Sequence, residues 1–291
     1  LWEFVFGQGL VRTSEDFGLQ GEWPSHPELL DWLAVEFRNR GLSPRAMLRL
    51  LVTSAAFQRD AARPRDGAHD PDARLLTRFP RRRLTAEALR DQALFAGGLL
   101  VERFGGPSVK PYQPSGLWQE VAMTQSNTRV YQQGSGDALW RRSLYTYWKR
   151  ACPPPSLLTL DAPTREFCTI RRSTTNTPLQ ALVLWNDEQF VEAARALAQR
   201  TLADAGLADD DARLQQMHVR TTGRTLDARG LAAVRSTLAT LRARFAAAPT
   251  DAEALVGVGA HPRSDTPPVE LAPFVVVASA FLNLDATLCI E

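Results

Sequence analysis

SHPELLDWLAVEFRNRGLSPRAMLRLLVTSAAF, Ser25 to Phe57, reads as a helical hairpin, and that reading decides the fold class. Ser25 and Glu28 stand at capping-box spacing, and Pro27 occupies the first turn. Leu29, Leu30, Leu33 and Phe37 then recur at helical spacing, and Gly41 supplies a stop. Ser43 can cap a second helix with Pro44 in its first position, where Met47, Leu48, Leu51 and Ala55 share one face. Two amphipathic helices joined by a short turn predict a mainly α protein.

Working outward, a polar Pro- and Asp-containing loop covers Asp60 to Asp70, and a third helical pattern runs from Thr85 to Arg103. Gly97 and Gly98 weaken that helix, and Gly105, Gly106 and Pro107 end it. From Gly105 to Asn176 the periodicity is lost among prolines, arginines and aromatics. A structureless loop of that length inside a compact domain implies either function or packing against other elements. RRSLYTYWKR, Arg141 to Arg150, suits a short strand or a helical turn equally. Helical order returns at TNTPLQALVLWND, where Thr177, Pro178 and Gln180 repeat the capping logic, and a helix restarts at Asn186 or Asp187. Further helices are expected over 209–217, 227–245 and 273–284. The expected fold is therefore an irregular multi-helix domain, mainly α, with a long Pro/Arg/aromatic-rich non-helical insert. It reads as a single domain over 1–291, with helical parts at 1–104 and 177–291 around the insert at 105–176.

Composition narrows the functions available. The chain has 291 residues, 44% hydrophobic and 23% charged, which is ordinary globular usage. Its 34 Lys and Arg against 32 Asp and Glu leave a net charge of +2, too little to draw in nucleic acid or anionic lipid over a distance. The longest apolar run, Phe274 to Leu284, is short of the roughly 20 residues a helix needs to cross a bilayer, and it reads as a core helix. The chain opens at Leu1 in mid-pattern, as a piece of a longer protein would. Cys152, Cys168 and Cys289 show no CxxC spacing, and no CxxCH is present, so neither a metal nor a haem is expected on this chain. A Cys152–Cys168 disulfide is one possibility; buried free thiols are the other.

The densest polar stretch is DAPTREFCTIRRSTTNTP, Asp161 to Pro178. Asp161, Arg165, Glu166, Arg171, Arg172 and Asn176 are its candidate ligand-binding residues, since guanidinium forks and amides on irregular backbone can converge on an anion or a sugar. The helix starting near Pro178 would aim free N–H groups at such a ligand. Against this, Asp161 and Glu166 can simply pair with Arg165, Arg171 and Arg172 and fasten the loop down. His26, His69, His218 and His261 form no HExxH or HxH pattern; His26 reads as a helix-start residue bonding backbone, and His69 and His261 as solvated loop residues. Trp118, Trp140, Tyr145, Tyr147 and Trp148 suit stacking on sugars or nucleobases, the latter disfavoured by the near-zero net charge, or, more simply, filling a core where helices are missing. Arg81 to Arg83 read as a solvated face or as partners of nearby carboxylates, and GGPSV, Gly105 to Val109, as a turn rather than a phosphate loop.

Several segments together resemble a known family: FGQGLVRTSEDFG (6–18), GGPSVKPYQPSGLW (105–118), PPPSLLTLDAPTREFCTIRRSTTNTPLQALVLWND (153–187) and AFLNLD (280–285), with the hairpin stretch and RRSLYTYWKR between them. They are similar, in order, to domain of unknown function 1553, the C-terminal domain of planctomycete-type, cytochrome-c-associated secreted proteins. Leu160 stands where Phe is common in that pattern and Trp185 where a smaller apolar residue is usual, while 202–268 is only weakly similar. The resemblance implies a module exported to the periplasm or beyond the cell, with a companion domain and a c-type haem-bearing segment upstream. It transfers no catalytic residue. The expectation is an accessory or docking module whose partner is that companion domain. The alternatives are an enzyme of polysaccharide breakdown or envelope redox chemistry centred on 161–178, with an anionic or carbohydrate ligand, and a structural cell-envelope interaction protein.

Overall fold

The computed structural model describes residues 1–61 and 70–290, which leaves the reading of His69 outside the described residues. The chain divides into two compact units. The first comprises Leu1–Arg83 with Cys168–Arg171 and the residues from Cys289; the second comprises Leu84–Phe167 and Arg172–Leu288.

In the first unit, α1 (Trp2–Phe6), α2 (Pro27–Asn39) and α3 (Pro44–Val52) surround a small aromatic core, and β1 (Arg82–Arg83) pairs antiparallel with β2 (Cys289–Ile290). Val5, Phe6, Leu51 and Phe79 are buried together. Phe57 stands edge-on to Phe79 with ring centroids 5.3 Å apart, the arrangement the ring quadrupoles favour. Both helices of the expected hairpin are present, with one correction at the start of the first. His26, not Ser25, is the N-cap of α2 and no side chain caps it, because the Ser25 hydroxyl is bonded instead to His26 Nδ1 at 2.9 Å. Ser43 does cap α3, accepting from the Ala46 N–H. The Arg81–Arg83 run is not simply solvated, since Arg82 enters β1 and its guanidinium donates to the Phe4 carbonyl.

The second unit holds the larger core. Its helices are α4 (Ala86–Gly97), α5 (Leu117–Val121), α6 (Asp137–Trp140), α7 (Pro155–Thr159), α8 (Pro178–Asn186), α9 (Glu188–Leu202), α10 (Asp210–Thr222), α11 (Ala228–Ala247), α12 (Pro249–Val256), α13 (Pro268–Leu282) and α14 (Asp285–Leu288). Helix α9 is the axis: every residue except Glu188, Arg200 and Leu202 is buried, between α4 on one side and α13 on another. Close approach to α4 depends on small residues. A Cβ on Gly97 would lie 2.8 Å from the Ala193 carbonyl oxygen, so the backbones could not come together with any larger residue there. The next residue, Gly98, takes the left-handed conformation (φ 76°) and ends α4, short of the expected Arg103. Helix α13 starts at Pro268, ahead of the expected 273, and α12 was not anticipated. Thr177 and Gln180 form the full capping box at the start of α8.

The 105–176 segment is irregular as expected, and it carries α5, α6 and α7, each of four or five residues, plus a 3-10 turn at Ser143–Tyr145. Single parallel bridges, Val101 to Arg141 and Val109 to Thr146, tie it down. Among the described residues no helix is long and apolar enough to cross a membrane.

Candidate functional site

Of the six residues singled out between 161 and 178, Asp161, Arg165 and Arg172 are held by different partners. Asp161, half-buried at φ 68°, accepts from the Thr175 N–H at 2.7 Å, from the Thr175 hydroxyl and from Gln180 Nε2 at 3.1 Å. It thereby holds the end of the segment to the first turn of α8. Arg165, exposed and also in the left-handed region at φ 65°, lies with its guanidinium carbon 4.3 Å from the Trp148 ring centre. The Trp148 indole in turn donates to the Thr164 carbonyl at 2.8 Å. Arg172 reaches Glu87 at the start of α4, at 2.8 Å. Glu166 and Asn176 are exposed. Arg171, also exposed, belongs to the first unit, whereas the other five belong to the second. Asp161 and Arg165 thus share a backbone region sparsely populated by non-glycine residues, as Leu42, Ala73 and Leu76 also do. Chemically, what faces solvent here is guanidinium, carboxylate and amide, a set suited to anions or sugar hydroxyls.

Cys152 and Cys168 are unbridged, and Cys168 is exposed rather than buried. Of the aromatics read as core, Trp118 is fully buried while Trp140, Tyr145, Tyr147 and Trp148 are half-buried.

A second polar constellation lies in the core around α9, and sequence reasoning missed it. Glu192 is completely buried. Its carboxylate accepts from the Tyr112 hydroxyl at 2.9 Å, the Trp140 indole at 2.7 Å and the His261 backbone N–H at 2.7 Å. The Tyr112 oxygen also accepts from the Ala260 N–H at 2.8 Å. One turn further, buried Arg195 donates to the carbonyls of Val258, His261 and Pro262 and to Gln199. Together they clamp the 258–262 loop, which passes so close that a Cβ on Gly259 (φ 83°) would sit 2.5 Å from the Glu192 carboxylate. His261 is therefore not a solvated loop residue. It is half-buried, edge-on to Trp140, and burial followed by the Arg195 charge holds its imidazole below the ordinary histidine range. Burial raises the Tyr112 phenol in the same way.

Two more buried arginines hold the irregular segment. Arg90 on α4 donates to the carbonyls of Leu139 and Arg141 at 2.6 and 2.8 Å, to Ser143 Oγ and to Gln189. Burial lowers its guanidinium to about 10, with Asp91 and Asp187 opposing that shift. Arg141 donates to the carbonyls of Arg103, Gly105 and Pro107 and stacks on Tyr145. Irregular backbone needs such donors because its carbonyls have no ladder to join. The terminal guanidinium nitrogens of both arginines are bonded to the protein itself, while Arg141 Nε is buried without a partner. Among the described residues, no three His, Cys, Asp or Glu side chains gather as a metal would need.

Fold and polar sites thus define a mainly α multi-helix protein with an arginine-stapled irregular segment. Residues 1–238 match the model of a protein family described as PSD1, protein of unknown function (DUF1553), and the chain belongs to that family. The matched region ends inside 202–268, the stretch of weakest resemblance. Comparison with curated proteins and with solved structures finds no match.

Proposed function

We propose that this chain is an accessory docking module of a larger exported protein, seated against a companion domain that lies upstream with a c-type cytochrome-like segment. The observation that carries this reading is apolar helix surface left open to solvent. On α8, Leu179, Leu182 and Trp185 stand three residues apart, hence on one face, and are 59%, 56% and 38% exposed. Within the first unit, α2 buries none of its residues. Its Leu30, Leu33, Ala34 and Phe37 instead overhang an apolar cavity of about 270 Å³ shared with Leu10 and Met47. Apolar faces of this kind are typical of surfaces that another protein covers. Hydroxyl-radical footprinting of the full-length protein against this chain alone tests the reading. The expected result is protection of Leu179, Leu182 and Trp185 in the full-length protein only; equal labelling in both would overturn it.

A second reading, a ligand-binding or enzymatic site acting on an acidic polysaccharide, draws on the left-handed backbone at Asp161 and Arg165 and the solvent-facing Arg165, Glu166 and Asn176. Calorimetric titration with oligogalacturonate should show binding that Arg165→Ala abolishes. A flat titration of the unaltered chain would remove this reading.

A further inference from the structure

We propose that one ordered water molecule binds between Gln113 and Thr146 and joins two strands of the irregular segment to each other. The two residues line a common cavity of about 10 Å³, which is room for a single water and for nothing larger. Thr146 is 6% exposed, and both its hydroxyl and Gln113 Nε2 are buried without a hydrogen-bond partner. The other polar groups on the cavity wall are committed elsewhere. Arg90 is spent on Gln189 and on the carbonyls of Leu139 and Arg141. The Tyr131 hydroxyl donates to the Pro111 carbonyl at 2.6 Å, and the Ser156 hydroxyl serves Asp187. Two residues that line the same small space therefore each carry a buried polar atom, an amide nitrogen and a hydroxyl, with its needs unmet.

Buried polar groups without partners are rare because desolvation costs them their water bonds with no return, and two in one pocket compound the cost. A single water meets both needs, accepting from Gln113 Nε2 and bonding the Thr146 hydroxyl in either sense. Its position also has a structural logic. Val109 pairs in parallel with Thr146, the Val109 N–H donates to the Tyr145 carbonyl at 2.8 Å, and the Tyr147 N–H donates to the Val109 carbonyl at 2.7 Å. The water extends this short backbone pairing by one more link, to Gln113, where the direct contacts stop.

A high-resolution crystal structure of the unaltered chain tests the site directly. Density 2.7–3.2 Å from both Gln113 Nε2 and Thr146 Oγ1, the usual hydrogen-bond range, is the expected result. A dry cavity, or a direct Gln113–Thr146 bond that closes it, would overturn the proposal. The sign of a stability change gives a second test, because Thr146→Val alters shape little. If water is bound, the substitution strands both water and amide, and Tm should fall by about 2–4 °C. If the cavity is dry, the substitution removes an orphan hydroxyl and Tm holds or rises, which contradicts the proposal. Should Thr146→Val fail to fold, the crystal structure of the unaltered chain decides alone.

Discussion

At the scale of single residues, the most exacting position is Gly259. Any side chain there meets both an unfavourable φ of 83° and the buried Glu192 carboxylate. Gly259→Ala should cost roughly 2–4 kcal/mol in denaturant unfolding, as strain and displacement of a buried charge add. Glu192→Ala should cost about 3–5 kcal/mol, because it strands the Tyr112, Trp140 and His261 donors together and leaves Arg195 without its acidic neighbour. His261 links this cluster to pH. Its folded-state affinity for protons lies below the unfolded value near 6.5, so the unfolded chain takes up the proton first as pH falls. The His261 contribution is fully present above about pH 6.5 and is lost progressively below it, toward the depressed folded value. Thermal melts across pH 5–8 should show that slope, and His261→Gln should flatten it. None of this was visible in EQFVEAARALAQ, where Glu192 and Arg195 look like the solvent face of an amphipathic helix. Apart from Gln199, their partners come from positions 112, 140 and 258–262, and no local spacing announces a bond across 80 residues.

Elements were more legible than residues, and the reason is local chemistry. Ser43 with Pro44, and Thr177 with Pro178 and Gln180, are read within four positions, and both caps form as written. Thr177→Ala should accordingly lose about 1 kcal/mol of stability. The Ser25 cap failed because a histidine at the next position offered its hydroxyl a nearer partner. The end of α4 was placed too far along because a left-handed Gly98 outweighs the apolar pattern that continues past it. In the irregular segment, prolines correctly signalled the loss of periodicity. What the segment uses instead, Arg90 and Arg141 donating to carbonyls, depends on long-range placement that arginine content alone does not specify.

For the molecule as a whole, the mainly α class and the family followed from the sequence, while the division into two units did not. That division takes residues from three separated stretches of chain into the first unit, an arrangement with no compositional boundary to mark it. The candidate segment at 161–178 was legible as a polar cluster, but not the anchors that three of its members use: Thr175 for Asp161, Trp148 for Arg165, Glu87 for Arg172. Leu179→Glu with Leu182→Glu, both more than half exposed, should leave the unfolding free energy within about 0.5 kcal/mol. The same pair should abolish association with the companion domain in size-exclusion chromatography.

The contrast among the arginines carries over to covalent chemistry. Phenylglyoxal reacts with guanidinium groups that it can reach, and Arg90, Arg141 and Arg195 are at most 2% exposed. Brief treatment of the folded chain followed by peptide mass mapping should tag Arg165 and Arg171 and spare those three until denaturant is added. The protein thus sorts one residue type into two chemical populations, and the order in which the buried ones become reactive would report whether the irregular segment or the 258–262 loop comes loose first.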